Sequence, residues 1–155
     1  LSRVESFVHR TMKGQDCRAI FLGLRNVYLH EGGLEKVFAK GIKPQDEDVM
    51  GGIMSARETI TKNPNFPQRT HNHVANPSRG SSAKRINMYL RWMVRKDKLG
   101  VDFGIWNHIG MHQLILPLDV HTGNVARKLG LLEGSQSIDR SLERILPRRP
   151  REIRL

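Results

Sequence analysis

Apolar side chains along this chain recur at three- and four-residue steps, the spacing that turns one face of an α-helix toward a core. Ser2 is placed to cap a first helix carrying Val4, Phe7, Val8 and Met12, with Gly14 ending it. Asp16 is placed to cap a second, whose Ala19, Ile20, Leu22, Val27 and Leu29 make a broad apolar surface before Gly32-Gly33. A short apolar segment at Leu34, Val37 and Phe38 is broken between Gly41 and Pro44. Asp46 then opens a helix to about Thr61, with Val49, Ile53, Met54 and Ile60 inward.

From Asn63 to Ser82 the pattern lapses. Pro64, Pro67 and Pro77, several asparagines, His71, His73, Arg69, Arg79 and Gly80 make a long polar loop. Loops of that length inside a domain are usually functional or disordered. Helical spacing resumes from Ser82 to Lys98, where Ile86, Tyr89, Leu90, Met93 and Val94 form one stripe. A shorter apolar piece (Phe103, Ile105, Trp106, Ile109) leads to a helix from Val120 to about Leu132, and a weaker one runs from Ile138 to Leu146. No convincing strand alternation occurs, so the expected fold class is all-α. Residues 1–62 read as an N-terminal helical segment, 63–81 as the polar loop, 82–146 as a second helical segment and 147–155 as a basic tail, together one compact domain.

Charge narrows the partner. The net charge is +11, a surplus that attracts polyanions, and nucleic acid is the expected one. No apolar run is long enough to span a bilayer, so no membrane partner is expected. The single cysteine, Cys17, rules out an internal disulfide framework, reads as buried on an apolar helix, and fits a reducing, cytoplasmic setting, where a DNA partner would place the chain at the bacterial nucleoid.

Specific chemistry is concentrated at two helix starts. Arg79-Gly80-Ser81-Ser82 precedes Lys84, with a serine able to cap and free backbone N–H groups suited to phosphate. Lys84 falls in the first turn, where the helix dipole disfavours a cation and partial burial would raise the share of neutral, nucleophilic amine. The other reading is an ordinary lysine reaching to solvent. Further along, Lys84, Arg91, Arg95 and Lys98 share a face that reads as a cationic ridge for a phosphate backbone, or else as a solvated face. Asp119 directly precedes the helix bearing Val125 and Leu129, so it reads as an N-cap whose anion could also face a reaction centre.

The run PLDVHTGNVARKLGLL resembles the aspartate-bearing helix start of the helix-hairpin-helix DNA glycosylases, a "VDxHVxRVxxRLGL"-like sequence. SSAKRINMYLRWMVRKD, followed by VDFGIWNHI and LILPLD, resembles more closely a bacterial family of unknown function in that superfamily. The separation of Lys84 from Asp119 is similar to that of the archaeal 8-oxoguanine DNA glycosylases, where an insertion lies between lysine and aspartate. The close match covers roughly Arg69 to Leu132. The resemblance implies a helix-hairpin-helix glycosylase-like fold, with residues 82–146 holding the hairpin and the catalytic motif. It implies base-excision repair by a bifunctional glycosylase and AP lyase, acting on oxidised purine or abasic DNA. Lys84 would attack C1′ and form a Schiff base, and Asp119 would assist proton transfer and stabilise the sugar cation. DNA contacts are then expected from Arg79, Gly80, Ser81, Ser82, Arg85, Arg91, Arg95, His121 and Arg127. Trp92, Phe103 and Trp106 are candidates to stack on a base turned out of the helix, with core packing the competing reading for each. Compared with a full member, the chain is expected to lack early and closing helices, and Gly80 stands alone where the hairpin motif has two glycines.

Other constellations are thinner. His108 and His112 lie four apart with His121 beyond, but no carboxylate or cysteine falls at ligand spacing and Gly110 interrupts any helical face, so no metal is expected. No phosphate-binding nucleotide loop occurs, and no cofactor is expected. A monomer that binds DNA is the resulting expectation. The reading from another class is a non-catalytic DNA-binding module that keeps the scaffold.

Overall fold

The computed structural model describes residues 4–116 and 120–130. Asp119, the helix end beyond Gly130, the weak helix at 138–146 and the basic tail lie outside the described residues. Within them the chain is mostly helical, as its periodicity predicts. The helices are α1 (Gly14–His30), α2 (Leu34–Lys40), α3 (Met50–Thr61), α4 (Lys84–Val94) and α5 (Val120–Lys128).

The segment read as a first helix is instead a small hairpin. Strands β1 (Val8–His9) and β2 (Met12–Lys13) pair antiparallel, Val8 opposite Lys13 and His9 opposite Met12. Phe7 and Val8, expected inward, are exposed. A helix so short is marginal without a surface to bury its stripe, and local strand pairing satisfies the backbone instead. Gly14, expected to end that helix, starts α1. A Cβ there would run into the carbonyls of Val4 and Glu5, so the glycine admits the chain that crosses over it. Asp16 is consequently not the cap but the third helical residue, and its carboxylate accepts the Lys13 N–H at 2.8 Å from inside the first turn.

Helices α1, α2 and α3 pack about Val27, Val37, Phe38, Val49, Ile53 and Ala56, and α4 extends the same cluster with Ala83, Leu90 and Val94. Trp106 and Ile109 close it from the segment after α4. Only part of α1 is buried: Val27 lies inside, whereas Phe21, Tyr28 and Leu29 are exposed. Gly41, after α2, meets Gly51, in the first turn of α3, so closely that a Cβ on either would strike the other's backbone. Helix α3 begins later than Asp46. That carboxylate takes the Lys43 N–H at 2.8 Å and Asp48 takes the Met50 N–H at 2.8 Å, so the acidic residues close the turn ahead of the helix rather than joining it.

The long polar segment is ordered by two 3-10 turns, Gln68–His73 and Pro77–Arg79. After α4, Arg95 turns extended, and the chain doubles back through an antiparallel bridge between Lys96 and Phe103. The helix therefore stops at Val94, four residues short of the apolar and basic pattern, because Trp92 and Met93 carbonyls are taken by the returning N–H groups of Phe103 and Trp106 at 2.7 and 2.8 Å.

Candidate nucleic-acid interface

The approach to Lys84 is fixed by groups distant in sequence. The carboxylate of Asp16 is fully buried. It accepts Thr70 Oγ1–H at 2.6 Å on Oδ1, while on Oδ2 lie Arg69 Nη2 at 3.2 Å and His73 Nε2 at 3.6 Å. Burial pushes this acid upward, but the Thr70 and Lys13 hydrogen bonds and the Arg69 and His73 charges outweigh it and hold the carboxyl below its ordinary value. Arg69 also donates to the Thr11 carbonyl at 2.8 Å, so one guanidinium ties the loop to the hairpin as well. On the other side, Arg57 of α3 donates to the carbonyls of His71 and Val74 and approaches His71 Nδ1 at 3.3 Å. Burial, together with the Arg79 charge, lowers the affinity of Arg57 for its proton. A loop whose carbonyls are gathered by one arginine and whose side chains converge on one carboxylate has a defined course to the start of α4.

That start is unusual in its backbone. Gly80 adopts φ +81°, and Ala83, the residue before α4, adopts φ +45°, a left-handed conformation that costs energy in a residue with a Cβ. Ser82 was expected to cap the helix. Ala83 takes the cap position, with no side-chain cap, because the left-handed turn places the serines one step too early. Ser81 Oγ accepts the Ala83 N–H at 3.3 Å, and Asn87 reaches back from the first turn to donate to the Ser82 carbonyl at 3.0 Å. Asn87 and Ala83 are buried, while Lys84 and Arg85 between them are exposed, as is Arg79. The partial burial expected of Lys84 is therefore not found, although its first-turn position stands.

At the other end of α4 the expected ridge divides. Arg91 Nε and Arg95 Nη1 both bond Asp102 Oδ2, at 3.3 and 3.0 Å, while Lys98 is exposed. The Asp102 side chain is fully buried and those of the two arginines about one-third exposed. Oδ1 of Asp102 is buried and takes no hydrogen bond from the described residues. Asp102 was not anticipated, since nothing local marks it as a partner of residues a helix away. The intervening turn is built by Asp97, which accepts the N–H groups of Leu99 at 2.9 Å, Val101 at 3.3 Å and Asp102 at 3.2 Å. Desolvation pushes its carboxyl upward, but those bonds together outweigh it and hold the group below the ordinary value.

Among the stacking candidates, Trp106 lies in the core, edge-on to Tyr89 with centroids 5.5 Å apart and tilted against Phe38 at 5.7 Å. Core packing is thus where its ring goes. Trp92 and Phe103 are exposed. His121 is exposed in the first turn of α5, and Arg127, in its last turn, donates to Asn124 Oδ1 at 3.1 Å. His108 does not meet His112 at a metal. Its ring Nδ1 lies 2.7 Å from Glu35 Oε1, which also accepts the backbone N–H groups of Asn107 and His108 at 2.7 and 3.0 Å. Burial opposes ionisation of Glu35, but these bonds and the histidine hold it below its ordinary value. No cluster of three or more metal-ligand side chains occurs among the described residues. Cys17, expected to be buried, is partly exposed on α1. No described helix is long and apolar enough to cross a membrane.

Residues 1–148 match a family model described as a protein of unknown function (DUF2400). No curated protein and no solved structure matches the chain.

Proposed function

The chain belongs to the DUF2400 family, and from its residues we propose that it is a DNA base-excision enzyme, a bifunctional glycosylase and AP lyase for oxidised purine or abasic sites. One observation carries the proposal: Lys84 stands in the first turn of α4, flanked by the cations Arg79 and Arg85 and backed by buried Ala83 and Asn87. A lysine so placed has backbone N–H groups of a helix start and two further cations beside it for phosphate. The similarity of the flanking sequence to glycosylase motifs supplies the chemistry.

In that chemistry the uncharged Lys84 amine attacks C1′ of the lesion nucleotide. The C1′–N glycosidic bond breaks, and the base leaves with the bonding electrons and takes up a proton. The amine gives up one proton, the C1′–O4′ bond opens with its electrons and a proton going to O4′, and a protonated Schiff base forms between Nζ and C1′. Removal of a C2′ proton then expels the 3′ phosphate. Asp119, next in sequence to the first residue of α5, is the acid–base partner by the same similarity.

The test mixes the protein with oligonucleotides carrying 8-oxoguanine or an abasic site and reduces with borohydride. A covalent adduct that disappears in Lys84→Ala is the expected result. No adduct on any lesion, with Lys84→Ala indistinguishable from the parent, rejects the enzyme. The exposure of Lys84 favours a second reading, a DNA-binding scaffold without turnover, for which the same oligonucleotides are bound in a salt-sensitive way and left uncut.

A further inference from the structure

The turn between Lys96 and Ile105 presents an apolar crest that the described residues leave exposed. Leu99 is 86% exposed and Phe103 64%, and Val101 and Ile105 project likewise. Apolar side chains scattered singly on a surface need no explanation, but four on one short turn do. The turn itself is well built. Asp97 gathers its N–H groups, Gly100 and Gly104 supply left-handed residues, and Phe103 and Gly104 donate to the Trp92 carbonyl at 2.7 and 3.2 Å. Along its returning arm Asp102 points inward while its neighbours Val101 and Phe103 point outward.

The charge around the crest identifies its occupant. Lys96 and Lys98 are exposed on the outgoing arm, and Arg91 and Arg95 stand at its foot. Each arginine gives Asp102 one N–H and keeps about one-third of its side chain exposed, so each is oriented and retains donors for an external anion. These four cations outnumber the two carboxylates of the turn, Asp97 and the buried Asp102, so the local net charge is positive. Phosphate beside an apolar π-face is the alternation that a single nucleic-acid strand presents at every nucleotide.

We propose that this turn is a contact for unpaired nucleotides, Phe103 stacking on a base, Leu99 entering beside it, and Arg91 and Arg95 holding the adjoining phosphate. A lipid surface fits less well, since insertion would carry the Asp102 carboxylate, whose Oδ1 has no partner among the described residues, into a still less polar medium. The proposal rests on the DNA-binding part of the function proposed above and not on the chemistry of Lys84.

The full chain is titrated with a fluorescent oligo-dT and with a blunt duplex of the same length, across a range of salt. Phe103→Ala and Leu99→Ala, both at exposed positions, are expected to weaken oligo-dT binding by roughly tenfold or more for the aromatic and less for the leucine, with the salt slope unchanged. Lys98→Gln is expected to lower the slope by about 0.7 and leave the stacking contribution in place. Parent-like binding by both apolar variants overturns the proposal. So does their loss of self-association or of binding to phosphatidylserine vesicles with oligo-dT affinity intact. A failed borohydride trap with weakened Phe103→Ala binding removes the enzyme and leaves this contact standing. A successful trap with Phe103→Ala unaffected removes only this contact.

Discussion

Thr70 Oγ1 donates a 2.6 Å hydrogen bond to Asp16 Oδ1, joining the first turn of α1 to a loop more than fifty residues later, with both side chains shut away from water. The bond decides where the loop can run, and the loop in turn sets the start of α4. Removing the hydroxyl leaves a buried oxygen of an ionised group without that donor. Thr70→Val, which keeps the shape, is therefore expected to cost about 1–3 kcal/mol, read as a lower urea midpoint with an unchanged slope. An unchanged midpoint would show that the contact carries little weight.

Acid should unfold the protein through the same carboxylate. Asp16 and Glu35 are both held below their ordinary values of 3.8 and 4.5 in the fold. Between each ordinary value and its lowered one, the unfolded chain binds more protons than the folded, so stability rises with pH across that interval. The contribution is complete above about pH 4.5 and fades as pH falls toward the folded-state values. Urea midpoints measured from pH 6 down to pH 2.5 are expected to drop most below pH 4.5, and Asp16→Asn to flatten the lower part of that drop.

Close backbone approach makes Gly51 intolerant. A methyl group there meets the Gly41 backbone, which cannot rotate away as a side chain could. Gly51→Ala is expected to destabilise by about 1–3 kcal/mol despite alanine's better helix propensity. A thermal melt equal to the parent's, or higher, would mean that α2 and α3 separate readily.

Ala83 stores strain. Its left-handed backbone suits glycine, and its Cβ is buried, so Ala83→Gly exchanges relief of about 1 kcal/mol against a small loss of apolar contact and a more flexible unfolded chain. Stability within about 1 kcal/mol of the parent is expected, in contrast to Ala83→Val, whose branched side chain tolerates that conformation poorly. If Ala83→Gly also preserves the borohydride adduct, the strain serves the path of the chain and not the chemistry of Lys84.

The helical class, the identity of most core positions and the first-turn position of Lys84 were legible in the sequence, because three- and four-residue spacing is a local property that packing preserves. Val27, Val37, Phe38, Ile53, Leu90 and Val94 are inside for that reason. The hairpin at Val8 to Lys13, the early stop of α4 and the cap at Ala83 were not legible. Each depends on what a distant segment offers: carbonyls crossing over Gly14, N–H groups returning from Phe103 and Trp106, and a loop anchored by Asp16 and Arg57. The basic surplus was visible from composition alone. Only tertiary structure, by burying Asp102 beneath Arg91 and Arg95, determined which of those charges stand oriented at the surface, since an ion pair between segments leaves no periodic trace.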